Sequence, residues 1–158
     1  MSTSEQYLRQ AIELAFDNIE KGGRPFGAVV VKDGKRIATG VNEVMVTNDP
    51  TAHAEIMAVR AAAQALGTPD LSGCTVYASG QPCPMCMAAM RIAGVEEVVF
   101  AHSSEDAEPY GLSRAAISAD LAKPFSEQSM KIRHEPVRLE SRPDLYGEWK
   151  RRQDGQAG

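Results

Sequence analysis

The chain has 158 residues, 43% hydrophobic and 24% charged, with a formal net charge of −4. That length suits one domain with a real core, predicted here over 1–158, and the acid excess removes the electrostatic reason to expect a nucleic-acid partner. No apolar run is long enough to span a bilayer, and Met1-Ser2-Thr3-Ser4-Glu5 offers no basic and apolar leader, so no secretion signal is predicted. Three cysteines cannot close a disulfide framework, and two of them form a Cys-x-x-Cys; a reducing cytoplasm is the expected compartment.

Taken in order, Ser4 is a candidate cap for a helix from Glu5. Leu8, Ile12, Ala15, Phe16 and Ile19 recur at three- and four-residue steps, and Gly22-Gly23 ends the run. This reads as an ordinary covering helix. Pro25-Phe26-Gly27 leads into the apolar strand Ala28–Val31. Lys32-Asp33-Gly34-Lys35 is a hairpin turn with Asp-Gly at its centre, and Arg36–Val41 returns as a second strand. Asn42 follows at the strand end, where it either faces a pocket or bonds its own backbone in a turn. Residues 43–51 form a loop, and an alanine-rich helix runs from Ala52 to about Leu66, broken at Gly67. After the turn Thr68–Gly73 come a strand (Cys74–Ala78), a helix (Met85–Ala93) closed by Gly94, and a strand (Val95–Ala101). Residues 102–111 are loop-like, and Leu112–Leu121 forms a further helix. The alternating apolar residues of Met130–Leu139 predict a final strand, Pro143 to about Arg152 a closing helix, and Gln153–Gly158 a disordered tail. A hairpin followed by strand–helix alternation predicts an α/β domain with a mixed sheet and helices on both faces.

The residues with the most specific chemistry lie between His53 and Cys86. Cys83 and Cys86 can offer two sulfurs to one ion from a single turn, and His53 adds a nitrogen. Three protein ligands without a fourth is the count of a catalytic zinc site, since a structural clip closes all four positions. Both groups fall at helix starts, where the positive end of the helix favours thiolates. Two thiolates offset the ion's charge, so water there is activated less strongly than among histidines alone. Glu55, two residues from His53, can compensate by accepting the proton of that water and returning it to a leaving group. Thioredoxin-like use of the Cys-x-x-Cys leaves His53-x-Glu55 unexplained. His102, His134 and Cys74 have no matching partners nearby in sequence and read as packing or surface residues.

His53-Ala54-Glu55 followed by Pro82-Cys83-Pro84-Met85-Cys86 resembles the signature by which zinc nucleobase and nucleoside deaminases are recognised. The likeness covers the chain from Gly22 to about Trp149. Within that superfamily it is most similar to bacterial guanine deaminases of the cytidine-deaminase fold, through Gly23-x-Pro25-Phe26-Gly27-Ala28-Val29 and Asn48-Asp49-Pro50-Thr51-Ala52-His53-Ala54-Glu55. The resemblance implies a three-layer α/β/α sandwich around a five-stranded mixed sheet. It implies zinc on His53, Cys83 and Cys86, with Glu55 as proton shuttle. Asn42 would hydrogen-bond the base and Ala54 would offer it a backbone N–H. Phe26 would pack on the base, or equally in the core. A homodimer, with neighbouring chains completing the pocket, is implied as well. The chain departs from these relatives in Gln81, where many carry Glu, and in Gly111-Leu112-Ser113-Arg114, where guanine deaminases carry Gly-Phe-Asp-Asp. Ser113 and Arg114 therefore mark a possible specificity loop. Arg114 either faces a carbonyl-rich or anionic substrate or lies on the surface.

The expected function is hydrolytic deamination of a free nucleobase or related amino-heterocycle, with guanine first and cytosine, isocytosine or aminotriazines next. The competing readings are a tRNA adenosine deaminase, whose basic face would rest on Lys150-Arg151-Arg152, and a non-enzymatic zinc-stabilised binding module.

Overall fold

The computed structural model describes residues 2–156, which fall into two compact units divided between Ala122 and Lys123. Among the described residues no helix is long and apolar enough to cross a membrane.

The first unit opens with α1 (Thr3–Glu20). Its cap is Ser2, whose hydroxyl accepts the Glu5 N–H at 3.1 Å. The predicted cap, Ser4, lies inside the helix, because it is Ser2 that sits three residues ahead of a free N–H. The strands β1 (Gly27–Lys32) and β2 (Lys35–Val41) form the expected hairpin. Asp33 and Gly34 both take positive φ, 51° and 73°, the pair of left-handed residues that a two-residue hairpin turn requires. The single turn α2 (Val44–Thr47) sits in the following loop, and α3 (Ala54–Leu66) begins two residues later than predicted, ending at Gly67 with φ 69°. Next come β3 (Cys74–Gly80), α4 (Pro84–Ala93) and β4 (Glu97–His102). The short helix α5 (Ser104–Ala107), a 3-10 turn (Glu108–Tyr110) and α6 (Ala115–Leu121) complete the unit.

The sheet order is β2-β1-β3-β4. β1 pairs antiparallel with β2 and with β3, while β3 and β4 run parallel across the α4 connection. The sheet is mixed, as predicted, but it has four strands and not five. The expected fifth strand, Met130–Leu139, forms no ladder. Its alternation of apolar residues is real, yet Pro136 has no N–H to give a neighbour, and the backbone closes on itself instead: Val137 N–H donates to the Glu135 carbonyl at 2.9 Å and Arg142 N–H to that of Leu139 at 3.2 Å. That segment belongs to the second unit, which also holds a 3-10 turn (Phe125–Glu127) and α7 (Leu145–Gln156). α7 runs into the stretch predicted as a disordered tail; Ala157 and Gly158 lie outside the described residues.

Strand pleating splits the core of the first unit in two. Ala28, Val30 and Val76 face Ala54, Ala58, Ala62, Cys86 and Met90 of α3 and α4. Val29, Val31 and Tyr77 face Ala11 of α1, with Tyr7, Leu8 and Leu14 packed alongside. The three-layer order follows. The predicted apolar stripe of α1 divides: Leu8 and Ala15 pack inward, whereas Phe16 and Ile19 are not in the core. Ile12, Phe16 and Ile19 line a cavity instead.

On the opposite face, α3 lies unusually close to β2. A Cβ on Gly40 would collide with the Ala54 carbonyl and the Ala58 N and Cα. Ala54, Ala58 and Ala62 recur every fourth residue and are fully buried, so one turn after another rests on the sheet with only a methyl between. This contact fixes the start of α3, and hence His53 and Glu55. Gly40→Ala is expected to lower the unfolding free energy by about 2 kcal/mol or more, measured by urea titration. A loss below about 0.5 kcal/mol would contradict the close approach.

Candidate active site

The two loops that reach the end of the sheet place ligand-type side chains at helix starts. His53 is the N-cap of α3 and Cys83 the N-cap of α4, and neither side chain caps its helix. Pro84 takes the first helical position, where a missing N–H is harmless, and brings Cys86 into the first turn. The result is a nearly equilateral triangle: His53 Nδ1 lies 3.5 Å from Cys83 Sγ and 3.6 Å from Cys86 Sγ, with 3.6 Å between the sulfurs. A tetrahedral zinc with Zn–N of about 2.0–2.1 Å and Zn–S of about 2.3 Å requires edges of about 3.6 Å for N···S and about 3.8 Å for S···S. The three residues therefore fit zinc with little adjustment. No fourth His, Cys, Asp or Glu joins the group among the described residues.

The electrostatics agree with a cation site. Cys83 is pulled down to about 4, first by its hydrogen bond with Cys86, then by those to His53 and the α4 backbone, against the cost of burial. Cys86 is pushed up by sharing its proton with Cys83, by burial and by Glu55. These are two views of one fact: adjacent sulfurs hold one proton between them until a dication makes both thiolates favourable. His53 is raised, chiefly by Cys83, and Arg114 opposes that rise. Glu55, at the second position of α3 and almost fully buried, is raised by burial, while the Cys86 thiol and its own N–H favour its charged form.

A cavity of about 430 Å³ opens onto this group, inside the range of about 300–1,000 Å³ typical of small-molecule sites. Every residue predicted from the sequence except Cys86 lines it: Phe26, Asn42, His53, Ala54, Glu55, Cys83, Ser113 and Arg114. Cys86 is buried directly behind. Asn42 sits at the end of β2 as predicted. Its Oδ1 accepts the Val44 N–H at 3.2 Å, as a turn residue does, and its amide side chain borders the cavity. Phe26 likewise packs against the core and lines the cavity, its ring over Gly80, where a Cβ would lie 3.3 Å from Cε1.

Four residues here escape sequence reasoning. Buried Asn18 donates from Nδ2 to the carbonyls of Arg24 (2.7 Å) and Asn42 (3.0 Å), tying the end of α1 to the end of β2. Its signal is a polar residue on the inward face of α1, three residues after Ala15. Gln81 Oε1 accepts the Ser104 N–H at 2.9 Å. His102, read as packing or surface, lines the cavity; its Nδ1 lies 2.9 Å from the Ser79 carbonyl, which only accepts, so Nδ1 carries the proton. Asp106 forms a capping box with Ser103 and also lines the cavity. The last two sit in a stretch whose sequence shows no periodic pattern.

A family model described as "Cytidine and deoxycytidylate deaminase zinc-binding region" matches residues 1–102, a span that contains all three ligand-type residues and Glu55. The chain belongs to this deaminase family. Over 127 residues it is 42% identical to the guanine deaminase of Bacillus subtilis, covering 80% of this chain and 81% of that one. The X-ray structure of a B. subtilis guanine deaminase superposes with a TM-score of 0.83 at 39% identity, covering 93% of both chains. A guanine deaminase from Nitrosomonas europaea gives a TM-score of 0.65 at 36% identity over 68% of this chain and 63% of that one. A tRNA-specific adenosine deaminase of Aquifex aeolicus is 41% identical over 96 residues, 61% of this chain and 64% of that protein. The chain is accordingly a hydrolytic deaminase that uses zinc, with the cytidine-deaminase-like fold, and the non-catalytic binding module is set aside.

Purified protein is expected to carry one zinc per chain, and Cys83→Ala less than about one-tenth of that, by elemental analysis. A fully metallated Cys83→Ala would contradict the ligand set.

Proposed function

We propose that this deaminase acts on a free nucleobase, with guanine as the first substrate and xanthine plus ammonia as products. Bound at the triad, zinc supplies a Lewis-acid centre that makes water nucleophilic near neutral pH. Glu55 takes a proton from the attacking water. As the new C–O bond forms and the C–N bond breaks, Glu55 passes that proton to the departing amine, which leaves as ammonia. Burial suits it to both halves of this cycle, because a carboxyl raised by desolvation holds the proton it has just accepted. Asn42 and the N–H of Ala54, which has no acceptor within its helix, hold the base in plane. Phe26 packs on its face.

The observation that carries this reading is the guanine-deaminase likeness over most of the chain combined with a small cavity built around the triad. The likeness to tRNA deaminases covers less of the chain, and the basic run that would serve RNA is partly offset by carboxylates of its own helix. Lys150 pairs with Asp154, and Arg151 and Arg152 both pair with Glu148. A net charge of −4 points the same way. Cytosine, isocytosine and aminotriazines are the next candidates.

A reducing, cytoplasmic setting goes with this reading, since the cysteines serve as metal thiolates. So does a homodimer, because large apolar side chains such as Met45, Val46 and Ile92 stay exposed on the first unit.

An ammonia-release screen across free bases, nucleosides, aminotriazines and tRNA is expected to give turnover on guanine. Release from tRNA alone would overturn the proposal. Glu55→Ala is expected to keep its zinc and lose about 10²–10⁴-fold in kcat; undiminished turnover would remove Glu55 from the proton path.

A further inference from the structure

The groups that meet a base in this cavity are unevenly matched. Asn42 spends its carbonyl oxygen on the Val44 N–H, which leaves the amide N–H groups facing outward. Ala54 adds a backbone N–H at the start of α3. Arg114 adds a guanidinium, which has five N–H donors and no acceptor. Its one hydrogen bond within the protein is long, 3.4 Å from Nη1 to the carbonyl of adjacent Ser113, and no carboxylate pairs with it among the described residues. The backbone around it is fixed: Ser113 Oγ accepts the Ala115 N–H at 3.1 Å, and the Arg114 carbonyl accepts the Ser118 N–H at 3.0 Å. The two carboxylates of the cavity are otherwise engaged. Glu55 lies beside the triad, and Asp106 accepts the Ser103 N–H at 2.9 Å. The cavity thus offers more donors than acceptors. A half-buried guanidinium without a carboxylate needs an acceptor from whatever enters.

We propose that Arg114 reads the edge of the base remote from the reacting carbon. It selects heterocycles that present a carbonyl oxygen beside a ring-nitrogen acceptor, and rejects those with an exocyclic amino group there. The fork of an arginine matches such an acceptor pair bidentately, as it does O6 and N7 of guanine. A 6-amino group in place of O6 sets N–H against N–H. The proposal rests on the free-base reading above and narrows it to 6-oxo purines and similarly substituted rings.

The test compares guanine with 2,6-diaminopurine, which share the ring and the 2-amino group and differ at C6, with products resolved so that only loss of the 2-amino group is scored. The wild-type enzyme is expected to favour guanine in kcat/KM. Arg114→Ala is expected to cut that preference about 10- to 100-fold, and Arg114→Asp to reverse it. Zinc content and melting temperature report that each variant is folded. A uniform loss on both bases would indicate a merely structural Arg114 and overturn the proposal, as would an unchanged ratio. Arg24 also lines the cavity, and a ratio that follows Arg24→Ala in place of Arg114→Ala would overturn it too. These results leave the free-base reading standing. Failure of the wild-type enzyme on every free base would overturn both.

Discussion

Three soft donor atoms held 3.5–3.6 Å apart are the constraint on which the rest of this molecule depends. Left alone, such a group is unfavourable: two adjacent sulfurs, one of them fully buried, hold one proton between them beside a half-buried imidazole. The chain keeps them together by placing each at the start of a helix that is itself anchored. α3 is drawn onto β2 by Gly40 and its alanines, and α4, the connection between the parallel strands β3 and β4, packs on the sheet through Cys86 and Met90. The positive ends of both helices lower the cost of negative charge on sulfur. A zinc ion held by His53, Cys83 and Cys86 would neutralise both thiolates.

The same geometry explains why Glu55, the proposed proton shuttle, is buried. Glu55 shares a helical turn with His53, so whatever fixes the ligand fixes the shuttle. The opposite face of the sheet contributes through α1, which covers β1 and β3 with one side and lines the cavity with Ile12, Phe16 and Ile19. Asn18 joins these tasks by bonding the carbonyl of Asn42, so the residue proposed to hold the base is positioned from the far layer. Among the described residues no buried side-chain polar atom lacks a partner, which is consistent with a site assembled before substrate arrives.

The metal group and Glu55 were legible in the sequence because ligand chemistry ties residue type to spacing, and helix starts are marked by their own residues, here Pro84 after Cys83. The hairpin was legible through Asp33-Gly34. The fifth strand was misread because alternation reports a surface that suits a partner and cannot report that a partner is there; Met130–Leu139 alternates, yet its hydrogen bonds close locally. The α1 stripe was half right for a related reason. Periodicity gave its faces but could not distinguish a face against the sheet from one against a cavity. The roles of His102, Gln81 and Asp106 were illegible, since they come from strand ends and a short helix brought to the site by the fold.

The residues fall into two groups with different bearing on function. The part of the chain that matches the deaminase family ends at residue 102 and contains the chemistry. Ser113 and Arg114, marked in the sequence as a possible specificity loop, lie beyond it. The central claim is the three-residue zinc site with an open position, and X-ray absorption at the zinc edge of the purified enzyme tests it most directly. The account predicts two sulfur neighbours at about 2.3 Å and two nitrogen or oxygen neighbours at about 2.0–2.1 Å, only one of them an imidazole. A third sulfur, or a second imidazole closing the coordination, would contradict it.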